Sequence, residues 1–213
     1  MPRIAVILAG CGRMDGSEVH ESTLSLLYLA QGGATYQCFA PNEQQARVVD
    51  HVTNLDSYEA RNQMAEAGRI ARGDIQPITA CDPEAFDALV VPGGSGGFEN
   101  LSQGEGDVHP ELRRLFVAMA DAGKPIAVVC IAPVLAARAL GEPGVRLTIG
   151  DDAETAAMIE ATGATHVECA VDACVADEAH RVVSTPAYML GPGIADVAAG
   201  IEAAMEQLLA WCE

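Results

Sequence analysis

Apolar runs along this chain alternate with amphipathic stretches. Ile4 to Leu8 is an unbroken apolar run of strand length, and it opens the pattern. From Glu18 to Leu29 the apolar residues are spaced as one face of a helix, which Gly32-Gly33 ends. Tyr36 to Ala40 predicts a second strand, stopped by Pro41. Gln44 to Asp50 and Ser57 to Arg72 predict helices, the latter closed by Gly73. Phe86 to Val91 predicts a third strand, ending at Pro92-Gly93-Gly94. Gly93 to Gly97 predicts a loop, and Glu99 to Gly106 a loop or short helix. Pro110 to Gly123 is an amphipathic helix, and Pro125 to Val129 a fourth strand. Ile131 to Leu140 continues directly as helix. Arg146 to Ile149 predicts a short strand and Ala153 to Thr162 a helix. Ala173 to Ala176 and Arg181 to Ser184 predict a hairpin around Asp177 to His180, and Ile194 to Trp211 a closing helix.

Strands separated by helices of this length predict an α/β fold: a mostly parallel sheet, helices on both faces, and a small antiparallel hairpin at one edge. No internal repeat or linker is visible, so residues 1–213 are expected to form a single domain. Twelve Lys and Arg stand against 30 Asp and Glu, a net charge of −18. That balance repels nucleic acid and anionic lipid, and fits a small-molecule substrate. No apolar run approaches the roughly 20 residues of a membrane span, and the first is shorter than the about 7–15 of a secretory signal. The expectation is a cytoplasmic protein with no membrane partner.

Seven cysteines are scattered along the chain with no C-x-x-C spacing, which leaves zinc-ribbon and thioredoxin readings without support. Cys38 and Cys169 lie in apolar runs, where a thiol acts as a small hydrophobe. Cys130 differs. The run Ile126-Ala-Val-Val129 meets a helix with no loop between them, so Cys130 must sit on a sharp turn at the carboxyl edge of the sheet. The following helix points its amides at the sulfur, which favours thiolate. The plainer alternative is a buried structural thiol. Gly94 ends the preceding strand, and its amide and that of Ile131 are candidate oxyanion donors.

Glu21 opens the first helix at the same edge and is a candidate proton carrier; macrodipole compensation is its alternative role, and the one accepted for Glu18, with Ser17 as cap. His20 is a possible auxiliary group, although a solvated role is the simpler one. His51, His109 and His180 read as surface or loop residues. His166 and Glu168 would share a face of a strand and could complete a Cys–His–Glu triad, against the plainer reading of an edge strand with solvated polar residues. Gly10-Cys-Gly12 fails the dinucleotide pattern because position 15 is Asp, and Gly93 to Gly97 lacks a Walker ending. No metal or cofactor is expected.

Together these features resemble the ThiJ/PfpI class of the class I glutamine-amidotransferase-like superfamily. Val6-Ile-Leu-Ala-Gly-Cys-Gly12, Asp15-Gly-Ser-Glu18, Cys38-Phe-Ala-Pro41, Val91-Pro-Gly-Gly94, Cys130-Ile-Ala-Pro133, Leu147-Thr-Ile-Gly150 and Ser184-Thr-Pro-Ala-Tyr-Met-Leu190 look like the bacterial "enhancing lycopene biosynthesis", or isoprenoid biosynthesis glyoxalase, family. The resemblance spans nearly the whole chain. It implies a flavodoxin-like three-layer sandwich, a homodimer, and cofactor-free glyoxalase activity on an aldehyde. It makes Cys130 the nucleophile, Glu21 its partner, and Gly94 and Ile131 the oxyanion donors. Many relatives place a histidine after the strand that follows the cysteine helix. Leu147 to Gly150 has none, which turns the expectation from amide hydrolysis toward aldehyde chemistry. Glutamine hydrolysis through His166 and Glu168, or a non-enzymatic redox sensor or chaperone built on Cys130, are the competing expectations.

Overall fold

The computed structural model describes residues 1–103, 106–141, 144–191 and 193–212. Seven strands form its main sheet: β1 (Arg3–Ile7), β2 (Thr35–Ala40), β3 (Ile75–Pro77), β4 (Ala88–Val91), β5 (Ile126–Val129), β6 (Val175–Asp177) and β7 (Val182–Thr185). Their spatial order is β6-β7-β5-β4-β1-β2-β3. Every pairing is parallel except β6 with β7, the antiparallel hairpin at one edge.

Strands covered on both faces read as continuous apolar runs, and those of β1, β4 and β5 do. Ala5, Ile7, Ile126 and Val128 point to one face; Ile4, Val6, Ala127 and Val129 point to the other. On the first face lie α4 (Pro110–Asp121) and α5 (Ala132–Leu140), with Leu112, Leu115, Phe116 and Leu135 in the core. On the second lie α1 (Val19–Gln31) and α7 (Ile194–Ala210), with Leu26, Leu29, Ile201, Met205 and Leu208. Each large aliphatic side chain so buried contributes about 1.5–3 kcal/mol. The result is the three-layer, flavodoxin-like arrangement.

Three regions depart from the pattern read along the chain. Residues 44–50 are not helical. Gln45 N donates to Arg61 O, Ala46 N to Asn100 Oδ1 and Val49 N to Asp15 Oδ2, so amides that a helix would use internally are taken by distant partners. The next helix, α2 (Gln63–Ile70), therefore starts late, behind an Asn62 cap whose side chain accepts from Ala65 N. The glycine-rich stretch after β4 is not a loop but α3 (Ser95–Asn100). Its glycines serve close packing: a Cβ on Gly96 would lie 2.2 Å from Asp15 backbone atoms. Residues 104 and 105, in the stretch expected as loop or short helix, lie outside the described residues. Arg146–Leu147 leaves the main sheet and pairs in parallel with Thr165–His166, ahead of and behind α6 (Ala153–Glu160).

Candidate active site

Cys130 occupies the single-residue corner between β5 and the start of α5. Its φ is +62°, in the left-handed region that a residue with a Cβ occupies only when its surroundings force it. The surroundings do so: Cys130 N donates to Thr185 O at 2.9 Å, while Ile131 already has helical backbone angles. The side chain is thereby raised above the carboxyl edge of the sheet, 7% exposed, with the amides of Gly94 and Ile131 directed at Sγ.

Glu21 lies in the first turn of α1 and is fully buried. Gly93 N donates to its Oε2 at 3.1 Å and Tyr188 N to its Oε1 at 3.2 Å. The same carboxyl lies beside Cys130, its Oε2 and the Cys130 Cβ both bordering the space over Gly93. Its helix is capped by Glu18, whose Oε2 accepts from Glu21 N at 2.7 Å. Ser17 is not the cap; its Oγ accepts from Ala9 N and ties the loop to the end of β1.

Burial, reinforced by the charge of Glu18, pushes the Glu21 carboxyl up to about 8. Burial also pushes the Cys130 thiol well up, and the negative charge of Glu21 adds to this. The two amides oppose that rise without overcoming it. The helix terminus alone therefore does not hold Cys130 as a resting thiolate. A carboxyl and a thiol packed together out of water keep their protons, and lose them in successive steps that belong to the pair. Cys38 and Cys81, pushed up to about 12 by burial, have no such partner and are core thiols. Cys169 is half-buried and outside any strand, contrary to expectation.

A cavity of about 570 Å³ opens over Cys130. It is lined by Gly94 and Ile131 and also by Arg13, Glu18, His20, Ser95, Tyr188 and Met189. His20 reaches it with Nδ1 2.7 Å from the Tyr188 hydroxyl. His166 does not. It sits on the side ribbon, where its Nε2 faces Ile149 N at 3.4 Å, so the Cys130–His166–Glu168 triad is not assembled. His109 is buried rather than superficial, and it caps α4 through Nδ1. Tyr188 and Arg13 were not singled out from the sequence. The first had a signal, since it lies in the Thr-Pro-Ala-Tyr-Met segment; the second had none.

Residues 43–188 match the DJ-1/PfpI family. The chain belongs to the DJ-1/PfpI family. It is 39% identical to human "glutamine amidotransferase-like class 1 domain-containing protein 3, mitochondrial", over 97% of this chain and 82% of that one. It is 37% identical to the rat "ES1 protein homolog, mitochondrial", over 97% and 83%. A crystal structure of an isoprenoid biosynthesis protein with amidotransferase-like domain from Ehrlichia chaffeensis superposes with a TM-score of 0.95 at 37% identity, over 100% of both chains. Drosophila melanogaster DJ-1beta, at 19% identity and a TM-score of 0.58, shares the fold. These relatives overturn the expectation of a cytoplasmic protein. The human, rat and zebrafish proteins are mitochondrial by name, and net acidity carried no information about that compartment.

Proposed function

We propose that this member of a family of glyoxalase-like and amidotransferase-like proteins is a glutathione-independent glyoxalase. It would convert glyoxal or methylglyoxal to glycolate or lactate. One observation carries the reading: a fully buried carboxyl, pushed to about 8, is locked by two backbone amides against a cysteine at the floor of a cavity. A group titrating near neutral pH and touching the nucleophile is suited to moving protons in both directions.

The reactive form is the pair with one proton removed. Sγ adds to the aldehyde carbon, and the Glu21 carboxyl gives its proton to the new alkoxide, forming a hemithioacetal. The Glu21 carboxylate then takes the hydrogen from that carbon, the neighbouring carbonyl becomes an enediolate, and the hydroxyl proton on the sulfur-bearing carbon passes to the new oxygen anion. Glu21 returns its proton to the adjacent carbon, leaving a thioester of the 2-hydroxy acid. Water cleaves the thioester and frees Cys130. The Gly94 and Ile131 amides stabilise the oxygen anion that forms on the carbon bonded to sulfur. No amine leaves, so no histidine is required to protonate one, which accords with the position of His166.

The test is consumption of methylglyoxal by purified protein without added thiol, with the product identified as lactate. Wild type is expected to turn over and Cys130→Ala to lose at least about 10³-fold, as when other covalent nucleophiles are removed. Equal rates for the two proteins would defeat the proposal.

A further inference from the structure

The cavity over Cys130 is larger than glyoxal or methylglyoxal requires. Its volume of about 570 Å³ falls in the range of about 300–1,000 Å³ typical of sites for much larger ligands. Among its described lining residues, Arg13 alone carries a permanent positive charge. Of the other ten arginines, Arg47, Arg61, Arg69, Arg113 and Arg114 pair with carboxylates; of those without such a pair among the described residues, Arg13 is the one that lines this cavity. Arg13 has no carboxylate within ion-pair distance among the described residues.

Its backbone is held in place. Ser95 Oγ and Gly96 N both donate to Arg13 O, at 2.8 and 2.9 Å. The neighbouring Asp15 backbone packs closely on Gly96 of α3. A guanidinium on a fixed loop, in a cavity that also presents the His20–Tyr188 hydrogen bond, is suited to grip a planar or tetrahedral anion.

We infer that Arg13 is a specificity-determining residue that selects carbonyl substrates carrying an anionic group, a carboxylate or a phosphate, with the aldehyde end toward Cys130. The chemistry rests on the glyoxalase proposal above; the recognition of charge does not. The charge also offsets Glu18, which lines the same cavity and would otherwise repel such a substrate.

Two readouts separate these layers. The first is alkylation of Cys130, followed by peptide mass spectrometry, with anionic iodoacetate and neutral iodoacetamide. The iodoacetate-to-iodoacetamide rate ratio should fall about tenfold in Arg13→Gln, the loss of one charge-assisted hydrogen bond, and further in Arg13→Glu. Arg13→Lys should keep most of it. The second is kcat/KM for 4,5-dioxopentanoate and for 3-phosphooxy-2-oxopropanal, each relative to methylglyoxal. The preferred one of the two identifies the anion as carboxylate or phosphate, and its advantage should fall similarly in Arg13→Gln. If the alkylation ratio is the same in wild type, Arg13→Gln and Arg13→Glu, the inference is overturned, whatever the turnover. If the ratio falls as expected but no oxoaldehyde is consumed, the anion site stands and the glyoxalase reading fails.

Discussion

Gly93 has no room for a side chain. A Cβ there would lie 2.4 Å from the Cys130 Cβ and 2.6 Å from Glu21 Oε2. The sequence marked the adjacent Gly94 for its amide; at Gly93 it is the absent side chain that lets thiol and carboxyl meet. Gly93→Ala is therefore expected to cost about 1–3 kcal/mol through overpacking and to abolish turnover, read by urea melts and the methylglyoxal assay. Glu21 sets a pH dependence of stability. Its folded value of about 8 lies above the ordinary 4.5, so the folded protein keeps a proton that the unfolded chain releases. That contribution is complete below the ordinary value and is lost as pH rises through the folded one. Unfolding free energy should fall between about pH 5 and 8, by at most about 1.4 kcal/mol per pH unit from this group. In Glu21→Gln that part of the slope should disappear. The variant should also be about 1–3 kcal/mol less stable at acid pH, because its amide nitrogen faces one of the two backbone donors. Turnover has the opposite trend: kcat/KM should rise through about pH 8 as the pair loses its first proton. A flat wild-type profile would contradict this assignment.

At the scale of elements, the strand-to-helix corner was legible because four apolar residues ran into a helix without a break. The chain from Gln44 to Asn62 was not. Its helical spacing is real, but Asp15, Asn100 and Arg61 take its backbone amides from far along the sequence, which no local pattern reveals. Similarly, α3 was hidden by glycines whose purpose is contact with residues 15–17 rather than freedom. Gly200, in the middle of α7, belongs to the same class. A Cβ there would meet Val171 O at 2.2 Å and Thr185 Oγ1 at 2.7 Å. Alanine in place of glycine in a helix interior ordinarily stabilises by about 1 kcal/mol. Gly200→Ala should instead destabilise, by about 1–3 kcal/mol in urea melts, because backbone must move. A stabilised variant would show that α7 and the β6–β7 hairpin yield more easily than their packing indicates.

Across the whole molecule, the carboxyl ends of β1, β4 and β5 bring together groups far apart in sequence: Glu21 on α1, Gly93 and Gly94 after β4, and Cys130 after β5. Order along the chain and the parallel sheet were enough to anticipate that meeting. They were not enough to anticipate its protonation, since the balance between burial and helix amides depends on distances that only the folded chain sets. Nor did they reveal Arg13, whose importance comes from the cavity it lines. The central claim is that Cys130 and Glu21 act as one unit, and a double-mutant cycle on methylglyoxal turnover tests it most directly. Cys130→Ala, Glu21→Gln and the double variant should all fall to the same floor, because removing either member disables the other. Losses that multiply in the double variant would contradict the account and mean that the two residues contribute independently.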